Sequence, residues 1–412
     1  MATTKDIVAS NSSLKAYWIL EIKRRTAATT WEDDWLDITK YLLDSGLPKI
    51  AQKLDNQGYQ YGQFKTANAS FKIDNSGGIF FPPSSQLSLF SGFFSRQYTK
   101  VRYRCGYYDN EDTQIDEVVF QGLLNEKTIK TEFETGEATF QALGMDAVLR
   151  ERDTTSTISG SKTAKQTIDT ILSGNTYISA FINYDAGNIN PAINIVFDDS
   201  SLFAKRSISA VLSEIAKKTY SVWYIDIQTN DLIFKSRAAN SNTPYSLDQN
   251  KDILKVYDYQ EGYDKIINKI NYKSGVNTYE FKATQTDLDI YGTNSISLGE
   301  SEDEPITTYA TFETLCNTII ANEKLPKRRI KVDIIYYPNV FKLYDKVTPI
   351  YITRKNTARN ILIWNGSTQW NNGYIYKTQG AGMSLDENII WKVLGIDNDT
   401  KNFVTTLELE EV

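Results

Sequence analysis

The strongest constraint in this chain is the alternation of apolar and polar residues between Asn68 and Gly122. Ala69, Phe71 and Ile73 alternate with Ser70, Lys72 and Asp74, a period of two that puts every second side chain on one face of a half-buried strand. Asn75-Ser76-Gly77-Gly78 follows, and glycine tolerates the positive φ of a tight reversal. Phe80-Phe81-Pro82-Pro83 then forces an extended exit. Val101, Tyr103 and Cys105 alternate with Arg102 and Arg104, and Val118–Gly122 ends a third strand. With 26 Tyr and 18 Phe, side chains suited to pleated surfaces are abundant. The expectation is a β-rich α+β chain.

At 412 residues, 41% hydrophobic and 23% charged, the chain is expected to fold into roughly two to four domains. Residues 1–13 lack an apolar core and read as a flexible N-terminal arm. Residues 14–150 read as a first β-barrel domain, closed by a hairpin across Glu134-Thr135-Gly136. Residues 151–250 read as a helix-plus-hairpin module. There Thr163 and Gln166 fit a capping box, and Gly174 is placed to end that helix. Ser207 precedes a second helix whose Ile208, Val211, Leu212 and Ile215 share one face. Residues 251–412 return to strands as a second β-barrel domain. It carries a helix over 311–323, with Phe312, Leu315, Cys316, Ile319 and Ile320 on one face, and a closing hairpin at Asp397–Thr400.

Histidine is absent, which removes the commonest general base and metal ligand. Cys105 and Cys316 cannot make a zinc site by themselves and read as buried free thiols. Gly160-Ser161-Lys162-Thr163 lacks the glycines of a phosphate loop. Asp397-Asn398-Asp399 lacks the position-six glycine of a calcium loop and reads as a turn. Acidic pairs such as Glu32-Asp33-Asp34, Glu111-Asp112 and Asp198-Asp199 are expected by chance among 51 acidic residues. No catalytic residue, cofactor or metal is expected. The formal charge of −6 carries no concentrated basic face for nucleic acid. There is no signal peptide and no apolar run of the ~20 residues a membrane span needs, so cytoplasmic folding without a membrane anchor is expected.

Residues 361–376 stand apart. Asn365-Gly366 is a hairpin turn signal, Asn371-Asn372-Gly373 is a second turn, and Trp364, Trp370, Tyr374 and Tyr376 surround them. Ordinary hairpin packing, a glycan-stacking surface and a protein–protein contact are all open. These four aromatics are the candidate partner-interface residues.

The strings "ASFKIDNSGGIFFPP", "VRYRCGYY" and "VVFQGLLNE" resemble the N-terminal region of bacteriophage tail hub (baseplate hub) proteins. "FKLYDKVTPIY" occupies the place of that family's "Leu-x-Asp-x-Val" strand, with Tyr344 where many relatives have glycine. "WKVLGIDNDTKNFVTTLEL" resembles its closing hairpin. The resemblance implies two small tube-like β-barrels with the helix-plus-hairpin module between them. It implies a homotrimer that adapts a six-fold tail tube to the spike or fibre at the tail tip. Expected partners are other copies, a tail tube or distal tail protein, and a spike or fibre protein, with DNA passing through the lumen. The expected location is the virion tail, assembled in the host cytoplasm. The alternatives are a tail-associated, carboxylate-dependent glycan or peptidoglycan hydrolase, or a receptor-binding adhesin.

Overall fold

The computed structural model describes residues 15–27, 29–54, 64–65, 68–76, 78, 80, 99–109, 112–154, 158–197, 199–247, 251–299, 308–338, 340–348 and 389–412. The first part of the chain supplies β1 (Lys15–Lys23), β2 (Leu36–Asp37), β3 (Lys49–Leu54), β4 (Asn68–Asp74), β5 (Lys100–Tyr108), β6 (Gln114–Glu132) and β7 (Glu137–Gly144). All but β3 form a six-stranded antiparallel sheet in the order β2-β1-β5-β6-β7-β4. The alternation read from sequence is its inner face: Phe71, Ile73, Val101, Tyr103 and Cys105 are fully buried. The stretch after β2 links β1 to β4, the strand at the opposite edge of the sheet. Ile38 N–H donates to the Leu20 carbonyl at 2.8 Å, and Leu43 N–H donates to the Lys72 carbonyl at 3.0 Å. One short segment thus runs from β1 to the edge of β4, which otherwise presents unpaired backbone groups, and curls the sheet into a half-barrel.

The middle of the chain supplies α1 (Ala164–Ser173), β8 (Ile189–Asn190), α2 (Ile208–Lys218), β9 (Ser221–Ile225) and β10 (Leu232–Ser236). Thr163 and Gln166 form the expected capping box. Gly174 follows α1 with φ −79°, so the helix ends there without a left-handed cap. On α2, Ile208, Val211, Leu212 and Ile215 are fully buried. They join Trp223, Leu232 and Phe234 of the β8-β10-β9 sheet in one core.

The remainder supplies β11 (Tyr245–Ser246), β12 (Ile253–Gln260), β13 (Lys269–Ser274), β14 (Asn277–Lys282), α3 (Gln285–Tyr291), β15 (Ser295–Gly299), α4 (Tyr309–Glu323), β16 (Arg329–Ile335), β17 (Lys346–Thr348), β18 (Trp391–Asp399) and β19 (Val404–Glu411). A second, eight-stranded sheet runs β11-β17-β18-β19-β16-β12. β3 joins it: Lys49–Lys53 pairs with Gly395–Asp399, and Phe64–Lys65 pairs with β3 in turn. The inner faces of the two sheets share one apolar core, in which Leu20, Phe71 and Phe120 meet Val332, Trp391 and Leu407. Strands β13 to β15 form a separate three-stranded sheet in the order β14-β13-β15. It is packed by the predicted face of α4, with Phe312, Leu315, Cys316, Ile319 and Ile320 all buried. The strand β3, the strands β14 and β15, and α3 have no counterpart in the sequence reading.

Candidate functional site

Trp364, Trp370, Tyr374 and Tyr376 lie outside the described residues. Both cysteines are buried, and burial pushes the Cys316 thiol up to about 12, far from a reactive thiolate. Glu111 and Asp198 lie outside the described residues, and of the remaining acids singled out in the sequence Glu32, Asp199 and Asp399 are engaged within the fold. Glu32 pairs with Arg24. Asp199 accepts the Ser201 N–H at 2.8 Å. Asp399 binds Lys49 at 2.7 Å and accepts the Asn402 N–H at 3.1 Å; Asp397, Asn398 and Asp399 end the strand β18, and the turn expected there falls at residues 400–403.

The two sheets meet along a line of buried hydroxyls. Tyr103 Oη donates to Thr400 Oγ1 at 3.2 Å, and Thr400 Oγ1 donates to the Pro48 carbonyl at 2.7 Å. Tyr107 Oη donates to the Tyr336 carbonyl at 3.2 Å. Tyr336 Oη donates to Glu117 at 2.7 Å. A cleft opens beside this line, lined by Glu117, Asp226, Gln228, Tyr337 and Lys342 among others. Its acids are also committed: Glu117 accepts from Gln228 at 3.0 Å, and Asp226 accepts two backbone N–H groups.

The densest polar site is where the middle module, the second sheet and α4 converge. Lys392 on β18 pairs with Glu410 on β19 at 3.0 Å, with side chains only 6% and 2% exposed. Arg329 on β16 reaches the same carboxylate. Burial would raise the Glu410 carboxyl, but Lys392 and Arg329 outweigh it and hold the group well below the usual carboxylate range. Lys392 Nζ also donates to the Arg237 carbonyl at 3.3 Å. The Arg237 guanidinium lies 3.5 Å from Glu323 at the end of α4 and 5.4 Å from the Tyr220 ring centre. Tyr220 Oη donates to Glu323.

Tyr344 stands at the centre of this cluster, 1% exposed. Lys235 lies 4.5 Å from its ring centre and Lys392 lies 5.6 Å from it, so the ring offers its face to two cations. Burial lowers the Lys235 ammonium to about 8, with Asp345 opposing that shift and Lys392 adding to it. Tyr344 has φ +69° and occupies the third position of a turn in which Asp345 N–H donates to the Lys342 carbonyl at 3.1 Å. That position favours glycine. A left-handed residue with a side chain costs about 1–2 kcal/mol, and here the cations around the ring offset it. The tyrosine at position 344 thus holds a backbone conformation that glycine adopts more readily.

Period-two reading of Leu407–Val412 places Glu408 and Glu410 together on a solvent face. Glu408 does face out and pairs with Lys53 at 2.7 Å, while Glu410 is buried because Lys392, Arg237 and Tyr344 cover it. A lysine between Trp391 and Val393 in an apolar strand was the available signal.

No family model and no curated protein matches the sequence. Solved structures do match its three-dimensional form, and they match it end to end. The prophage tail protein gp18 from Listeria monocytogenes EGD-e is 11% identical at a TM-score of 0.53, over 95% of this chain and 94% of that one. The tail protein from Neisseria meningitidis MC58 is 8% identical at 0.56, over 96% of each chain. This chain has the fold of phage tail proteins. The tail protein fold extends to the Francisella PdpA-VgrG complex, matched at a TM-score of 0.52 and 9% identity over 97% of this chain and 53% of that one. Among the described residues, no helix of this tail-protein fold is long and apolar enough to cross a membrane.

Proposed function

We propose that this chain is a structural component of a phage tail: the hub that joins the tail tube to the spike or fibre at the tail tip. The observation that carries the reading is the end-to-end match to phage tail proteins, with nearly all of both chains superimposed. Two curled sheets in one chain also fit the role. Three copies would present six sheets, a count that meets a six-fold tube while keeping three-fold symmetry for a spike. The hub acts mechanically as symmetry adaptor and conduit for DNA, in the virion tail after assembly in the host cytoplasm. The match to a VgrG-containing complex supports a tail spike or tube partner.

Native mass spectrometry of the chain alone and with tube and spike proteins tests the proposal. The expected species is a homotrimer, stabilised by a partner if absent in isolation. A monomer inside intact particles overturns it. Cell-wall zymography in which lysis is lost on changing one carboxylate pair would replace it with the hydrolase reading.

A further inference from the structure

We propose that β13, β14, β15, α3 and α4 form a hinged body, and that Arg237 and Glu323 are the latch holding it against the middle module and the second sheet. Such a latch belongs to the mechanics of this chain whether or not it is a tail hub. Three observations carry it.

The first is an independent core. Ile270, Tyr272, Phe281, Phe312 and Ile319 pack together, and among the described residues this cluster takes from outside only the buried Tyr220 and the partly buried Ile193. By contrast the two large sheets share a single continuous core. Segments with their own core open and close as cooperative units.

The second is the way the chain enters and leaves. It enters at Gly262, which has φ +73°, and leaves past Lys327. A Cβ on Gly262 would lie 2.1 Å from the Lys327 carbonyl oxygen. Both connecting strands therefore run side by side, with glycine permitting the contact. Rotation about two adjacent strands is a hinge, and few backbone angles need to change.

The third is the clasp. Glu323, the last residue of α4, meets Arg237 at 3.5 Å with both side chains about nine-tenths buried. It also meets Lys327 at 3.7 Å and accepts from Tyr220. Arg237 in turn touches Tyr344. Tyr220 and Tyr344 both hold left-handed backbones, with φ +50° and +69°, and both touch this one guanidinium. Such conformations persist only while their surroundings enforce them. Opening the latch lets both relax, so the joint has a closed state held by polar contacts and an open state with less backbone strain.

The test is hydrogen–deuterium exchange on the full chain, wild type and Glu323→Gln, which keeps an acceptor for Tyr220 and removes the charge. The Asn240 and Tyr344 amides, bonded to the Tyr344 and Val393 carbonyls beside Arg237 on the sheet side of the latch, should exchange about tenfold faster in the variant. The β13–β14 ladder should keep its wild-type protection. Unchanged exchange at the joint means that Glu323 is no latch. Loss of protection throughout β13 and β14 means that the body does not hold its fold alone. In wild type under rising denaturant, β13–β14 should lose protection as a unit separate from β5–β6. A single shared transition overturns the hinged body.

Discussion

Replacing Glu410 with glutamine should be among the most damaging single-atom changes in this chain. The side chain is 2% exposed and lies 3.0 Å from a lysine that is itself 6% exposed. Glutamine keeps the shape and one acceptor but leaves the Lys392 ammonium buried without a counter-charge. Removing one partner of a buried ion pair costs about 3–5 kcal/mol. Arg329, one-fifth exposed, can turn to water and adds little to that cost. For a unit of this size each kcal/mol moves the melting midpoint by about 2–4 °C, so Glu410→Gln should melt roughly 6–20 °C lower. The Trp391 indole, fully buried beside Lys392, reports the transition by intrinsic fluorescence. The double variant Lys392→Met with Glu410→Gln removes the orphaned charge and should recover to within about 1 kcal/mol of wild type. A Glu410→Gln shift below about 2 °C, or a double variant no better than the single one, refutes the reasoning that an uncompensated charge is the cause.

The same carboxyl sets a pH dependence. Glu410 is held below its ordinary value of 4.5, so its stabilisation is complete above that value and declines as the pH falls through it; the Glu410→Gln midpoint should vary less between pH 6 and pH 3 than wild type, and parallel curves would contradict this. Tyr344→Gly and Tyr344→Ala both lose the packed ring, but glycine relieves the left-handed backbone, so the glycine variant should be the more stable by about 1 kcal/mol in denaturant titration; equal midpoints would show that the backbone there carries no strain. Leu212→Ala, on a fully buried position of α2, should cost about 2–5 kcal/mol, read from Trp223, whose indole N–H bonds Ser213 on the same helix at 3.1 Å; an unchanged melting curve would contradict that packing.

What the sequence determined by itself was local. The period of two over Ala69–Ile73 and Val101–Cys105 assigned strands and their buried faces, because alternation is a property of the strand backbone alone. Helix α2 and the capping box at Thr163 were legible because their contacts lie within four residues. The tail-protein fold was legible as an order of strand and turn signals, although no single motif carries it. Only the tertiary structure decided which strands share a sheet. β3 lies near the start of the chain and pairs with β18 near its end, and no local pattern encodes a partner so far away in sequence. Tertiary packing also decided the fate of Glu410 and Tyr344. Alternation places Glu410 towards solvent, and turn chemistry favours glycine at position 344. Both outcomes are reversed by Lys235, Arg237 and Lys392, which arrive from separate elements. Burial of a charge depends on what covers it and what neutralises it, and both are set by contacts between distant segments.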